Sequence, residues 1–147
     1  MFIGQYQNNL DAKRRIVVPA KFREELGDTF YLAHGFDGGL AIYSEKRFKE
    51  VLTQFSKLPL TQEKARKFLR VLTTKSVECT PDKMGRINIP DHLANDAGLQ
   101  KECVIVGVYD RVEIWDKNTW ENYYDEASEN FEEIAEGLQK LPSEDDE

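Results

Sequence analysis

The sequence predicts an α+β fold in which two tandem, pseudo-symmetric, β-rich units form one compact shared core with helices at its periphery. Three observations carry that expectation. A nine-residue segment recurs, DAKRRIVVP at Asp11 to Pro19 and DKMGRINIP at Asp82 to Pro90, and the copies align without gaps at an offset of 71. The chain beyond each nonapeptide also repeats in kind: a short helix, a hairpin and a longer helix. Each copy is close to the size, about 60 residues, at which a domain is only marginally able to bury its own core. Two such units therefore gain by burying their apolar faces together.

Residues 1–58 read as the first unit. Asn8 and Asn9 are turn signals ahead of the nonapeptide, and alternating apolar residues come after Arg15. This is a tight connection between two strands, with Asp11 near its start and Arg15 at its exit. Pro19 opens a short helix that closes on Gly27, the usual placement of the two residues. A strand, Thr29 to Ala33, leads through a Gly38-Gly39 hairpin turn to a second strand containing Ile42 and Tyr43. Ser44 then caps a helix with Phe48, Val51, Leu52 and Phe55 on one face.

Residues 59–75 form a connecting helix. After Pro59, Ala65, Phe68, Leu69 and Leu72 fall at helical spacing, and Lys64, Arg66, Lys67 and Arg70 read as a solvated outer face. Residues 76–125 repeat the first unit. Thr80-Pro81 marks the turn, Asp82 and Arg86 bound the loop, and Pro90 and Gly98 bracket the short helix. Glu102 to Val106 is the next strand, now at an offset of 73 because this copy has gained two residues; Ile114 and Trp115 lie on its partner. From Asp116 to about Leu141 a last helix carries Trp120, Tyr123, Tyr124, Ala127, Phe131, Ile134, Ala135 and Leu138 as an apolar stripe. Its first half is expected to pack in the core and its second half, Phe131 to Leu141, against a neighbouring subunit. Residues 126–147 hold the acidic end of that helix and a tail, SEDDE after Pro142, expected to be disordered.

Charge divides along the same lines. The 147 residues contain 20 Lys and Arg against 27 Asp and Glu, a formal net charge of -7. Of these, 11 acids and one base, Lys140, lie from Trp120 onward, so the tail carries -10 and residues 1–119 carry +3. The chain is a mildly basic body with an acidic end, which disfavours indiscriminate coating of nucleic acid and permits a few directed contacts. No apolar run approaches the roughly 18 residues of a membrane span, and the opening MFIGQYQNN lacks a secretory pattern. A soluble, cytoplasmic protein without membrane contact is expected. Cys79 and Cys103 stand apart without a CxxC, and His34 and His92 are the only histidines, so no disulfide, metal or other cofactor is expected. The cysteines read as core-filling thiols.

The repeated Asp-x-x-x-Arg is the chemistry to explain. An aspartate at the start of a tight loop accepts hydrogen bonds from backbone amides two residues on and holds the loop's shape. The first loop presents Lys13, Arg14 and Arg15; the second presents Lys83 and Arg86 around Met84 and Gly85. Side by side, these would put five cations on one face, suited to phosphates and guanine edges. Two readings stand, and they are compatible: the Asp-Arg pairs are duplicated turn salt bridges, or the arginines are shared between turn and ligand.

The two loops, each leading into Ile-x-(Val/Ile)-Pro, their 71-residue spacing and the opening Phe2-Ile3-Gly4 together resemble the bacterial MraZ family over about residues 1–140. That family belongs to the AbrB-like, looped-hinge class of DNA-binding proteins, in which paired copies interlock their strands. The resemblance implies AbrB-like units at 1–58 and 76–125 and a nucleoid-associated transcriptional regulator, read as a repressor. It implies a homo-oligomeric ring on short direct repeats of double-stranded DNA at the promoter of the division and cell-wall gene cluster. Its DNA-binding residues would be Lys13, Arg14, Arg15, Lys83 and Arg86, with Asp11, Asp82 and Gly85 structuring the loops. The family usually has glycine just before the arginine. Gly85 fits and Arg14 departs, so the first loop is either reshaped or simply carries an extra cation.

Other functions find less support. There is no nucleophile elbow, no HExxH and no phosphate-cradling glycine loop, and no spacing singles out a catalytic pair among the acids, so an enzyme is not expected. The stronger rival is a ring-forming interaction scaffold or an AbrB-like antitoxin without a promoter-specific role.

Overall fold

In a computed structural model describing residues 1–138, both copies fold into the same run of elements. The first copy holds β1 (Phe2–Asn9), β2 (Arg15–Val17), α1 (Ala20–Leu26), β3 (Phe30–His34), β4 (Leu40–Ser44) and α2 (Glu45–Ser56). After α3 (Glu63–Lys75), the second holds β5 (Val77–Cys79), β6 (Arg86–Asn88), α4 (Asp91–Asp96), β7 (Glu102–Tyr109), β8 (Val112–Asp116) and α5 (Lys117–Glu129), with α6 (Phe131–Gly137) after it. Contacts group 1–117 into one compact unit and the described residues from 118 onward into another.

Within 1–117 the two copies exchange strands. The six-stranded sheet runs β1-β7-β8-β4-β3-β5, all neighbours antiparallel, and a separate ribbon pairs β2 with β6. The leading strand of each copy thus pairs with the hairpin of the other. Strand length favours the exchange: β5 has only three residues, too few to stand alone, and pairs as an edge strand with β3 of the other copy. One core results. Ile16, Val18, Phe22, Leu32 and Ile42 of the first copy and Ile87, Ile89, Leu93, Ile105 and Ile114 of the second bury together in one cluster. Burying a side chain of this size removes it from water at about 1.5–3 kcal/mol each. Cys79 and Cys103 are buried here too, and burial pushes both thiols up to about 11, as expected of inert core fillers.

Local signals act as anticipated in most helices. The carbonyl of Pro19 accepts the Phe22 and Arg23 amides and that of Pro90 accepts the Leu93 and Ala94 amides, starting α1 and α4. Ser44 Oγ accepts the Arg47 amide at 3.2 Å, capping α2, whose Phe48 and Val51 are buried. In α3, Ala65 and Leu72 are buried, while Lys64, Lys67 and Arg70 are exposed.

The last helix differs from expectation in two respects. It is two helices, α5 and α6, separated at Asn130, whose backbone amide and Nδ2 both donate to the carbonyl of Glu126. The amide hydrogen bond is the last of the regular helical ladder, the side chain adds a second donor to the same carbonyl, and Asn130, at φ -103° and ψ 16°, stands outside helical geometry between the two helices. The first half of the stripe is also less buried than expected: α5 buries none of its residues. Within the helix, Trp120 lies 6.3 Å from Tyr123 and 5.5 Å from Tyr124 between ring centroids. Phe131, Ile134 and Leu138 are exposed, and the SEDDE tail lies outside the described residues. No helix among the described residues is long and apolar enough to cross a membrane.

Candidate nucleic-acid interface

Each aspartate builds its loop in the same way. Asp11 Oδ1 accepts the backbone amides of Lys13 at 2.9 Å and Arg15 at 2.8 Å, and its Oδ2 accepts Arg15 Nε at 2.8 Å. Asp82 Oδ1 accepts the amides of Met84 and Arg86, both at 2.9 Å, and its Oδ2 accepts Arg86 Nε at 2.7 Å. Backbone bonds close both loops, Asp11 N to Arg15 O and Asp82 N to Arg86 O. The amide of Arg15 chiefly, helped by its guanidinium and the Lys13 amide, holds the Asp11 carboxyl below its ordinary value, and the amide of Arg86 does the same for Asp82. These bonds favour the ionised carboxylate, so each loop is assembled around a charged aspartate.

Both arginines spend only Nε on the aspartate. The Nη1 and Nη2 edge of each makes no hydrogen bond among the described residues, a fork of the kind that suits phosphate oxygens or the O6 and N7 of guanine. The ribbon determines how the two edges are arrayed. Arg15 faces Asn88 and Val17 faces Arg86 across an antiparallel ladder centred on Ile16 and Ile87. Ile16 and Ile87 are buried, so alternation puts Arg15, Val17, Arg86 and Asn88 on the opposite, outer face. Arg15 and Arg86 therefore share that face, two positions apart along the ribbon, about 7 Å. Because the strands are antiparallel, the two loops extend from its two ends. Val18 N donates to Gly85 O and Ile89 N to Arg14 O, so each loop is also tied to the strand leaving the other.

Arg14 does not reshape the first loop. Its φ of 58° matches the left-handed conformation of Gly85, φ 81°. Its side chain forms an exposed ion pair, Arg14 Nε with Asp91 Oδ1 of α4 at 2.8 Å. At the second loop a different side chain intervenes. A Cβ on Gly85 would stand 2.5 Å from Arg23 Cζ, so the α1 arginine occupies the space any larger residue would need. Lys13 and Lys83 are exposed and have no carboxylate partner among the described residues.

Reading the sequence did not single out Asp91 or Arg23, yet the repeat contains the signal. Superposing the copies sets Arg23 against Ala94 just as it sets Arg14 against Gly85. A bulky residue lies on the loop in one copy and beneath the loop in the other. Among the described residues no group of three or more His, Cys, Asp or Glu could hold a metal ion.

The family model "MraZ protein, putative antitoxin-like" matches the chain twice, over residues 1–71 and 72–141. A protein of Ligilactobacillus salivarius (strain UCC118) named "Transcriptional regulator MraZ" is 50% identical over 138 residues, 94% of this chain and 96% of that protein. A protein of the same name from Lactobacillus delbrueckii subsp. bulgaricus (strain ATCC BAA-365 / Lb-18) is 47% identical over 141 residues, 96% of this chain and 99% of its own.

Proposed function

The chain belongs to the MraZ family, and from there we propose that it is a sequence-specific DNA-binding transcriptional regulator, a repressor acting on the division and cell-wall gene cluster from which it is itself expressed. The observation that carries this reading is the pair of aspartate-framed loops on one ribbon, each with an arginine whose Nη edge is uncommitted. Lys13, Arg14 and Lys83 add charge around them, and the phosphate contacts they make position the protein while the arginine forks read bases. The work is binding alone, with no catalysis and no cofactor, and it takes place on the nucleoid in the cytoplasm.

Each chain offers few contacts, so assembly must multiply them. We read the chain as forming a homo-oligomeric ring that sets several loop pairs on short direct repeats, where linked sites gain affinity through effective concentration. The exposed Phe131, Ile134 and Leu138 on α6 and at its end support a role for that segment in contacts between copies. Truncation after Asn130 should then give smaller particles in light scattering; unchanged mass removes α6 from the assembly.

A nuclease footprint on the DNA upstream of the chain's own gene tests the regulator reading. It should show protection in a regular repeat, with affinity falling steeply as salt rises because counterions are released from phosphates. Uniform or absent protection would favour the scaffold reading, in which the Asp-Arg pairs only fasten the loops.

A further inference from the structure

We infer that Arg23 is a phosphate-binding cation of the second loop, supplying from α1 the side chain that Gly85 does not have; the inference rests on the DNA reading above. The two loops have identical frames but unequal charge. The first carries Lys13, Arg14 and Arg15 in sequence, whereas the second has only Lys83 and Arg86. Arg23 makes up the difference in space. Its guanidinium lies directly against Gly85, with Cζ, Nε and Nη2 at 2.5, 2.7 and 2.8 Å from where a Cβ would be. Its Nε donates to the carbonyl of Val18 at 2.9 Å, and Val18 N in turn donates to Gly85 O.

This arrangement anchors the guanidinium by one nitrogen and leaves its other two without a hydrogen bond among the described residues, as in Arg15 and Arg86. Glu24, Asp28 and Asp82 line the same groove, but none forms an ion pair with Arg23. A half-buried arginine next to three carboxylates, paired with none of them, has its free edge available to a phosphate. The reciprocal pattern of the repeat explains why only one device appears in each loop. Where the first loop has Arg14, α4 has the small Ala94; where α1 has Arg23, the second loop must have glycine.

The test measures binding to a labelled duplex from upstream of the chain's own gene by fluorescence anisotropy across a range of salt. If the parent protein shows no salt-dependent binding to this duplex, the DNA reading itself fails and the inference falls with it. With the parent binding, Arg23→Ala should weaken affinity roughly tenfold, the scale of one charged hydrogen-bonding contact. It should also reduce the salt slope by about one phosphate. Arg23→Lys keeps the charge and loses the Nε hydrogen bond to Val18, so it should retain the parent slope. Arg23→Ala combined with Gly85→Arg copies the first loop's arrangement into the second and should recover the slope lost in Arg23→Ala alone. Arg23→Ala with an undiminished slope overturns the inference, even if affinity falls, because Arg23 would then only support the loop. Should Arg23→Ala fold poorly by circular dichroism, Arg23→Gln, which keeps a hydrogen-bonding side chain and removes the charge, decides instead, and an undiminished slope for it overturns the inference.

Discussion

The two loops differ in everything except their frame. Both hang from an aspartate that accepts two amides and one guanidinium, and both place a left-handed residue just before the arginine. Between these fixed points the first loop reads Ala12-Lys13-Arg14 and the second Lys83-Met84-Gly85. The shared geometry of the frame stands against the changed chemistry of the tip: the aspartate and backbone fix where the arginines stand, and the tip residues differ in charge and size. A two-fold body with unequal loops presents an asymmetric face. Under the proposed DNA reading, such a face would suit sites repeated head to tail better than palindromes, whose halves would call for identical loops.

Removing the frame should have the largest effect. Asp11→Ala and Asp82→Ala each strip the acceptor from two backbone amides and release the arginine. Each should cut DNA affinity more than tenfold while its arginine is still present, measured by gel shift. Comparable losses in the two variants would mark the frames as equivalent; a loss in only one would show that a single loop carries recognition.

Next in size is the exchange of tip residues. Gly85→Arg forces a side chain into the space of Arg23 and should cost about 1–3 kcal/mol of stability by thermal or denaturant melting. The converse, Arg14→Gly, relieves a left-handed arginine but frees the chain and loses the exposed pair with Asp91, so stability should change by less than about 1 kcal/mol. Binding should nonetheless weaken, with a salt slope lower by about one. If Arg14→Gly instead destabilises as much as Gly85→Arg, the tips are structural in both loops.

Much of this was legible in the sequence, because it is local. The aspartate loop, the proline that starts each short helix and the serine cap of α2 each act within about four residues, and a repeat at one offset displays them twice. What was illegible depends on distant partners. Helical periodicity identified the stripe from Trp120 onward but could not say what it faces, and the structure buries none of α5. Arg23 lies 62 positions from Gly85, and only the exchange of strands between copies brings α1 beside the second loop. Asp91 reaches Arg14 by the same exchange.

The smallest effect is on pH. Both loop aspartates have carboxyl values lowered from the ordinary 3.8, first by the amides of Arg15 and Arg86. A depressed acid stabilises the fold at pH values above its unfolded-state value, and that contribution disappears as pH falls through the lowered folded-state value. Stability curves should therefore dip below about pH 4. Asp11→Asn with Asp82→Asn should flatten that acid limb, whereas an unchanged limb would assign it to other carboxylates.

Everything turns on whether Arg15 and Arg86 bind DNA or merely close their turns. Changing both to Ala and measuring a gel shift on upstream promoter DNA, alongside the mass of the assembly in solution, separates the two roles. If the arginines are ligands for DNA, the shift is abolished while the mass is unchanged. Binding at parental strength by the double variant would contradict this and leave the aspartate-arginine pairs as fasteners of the fold.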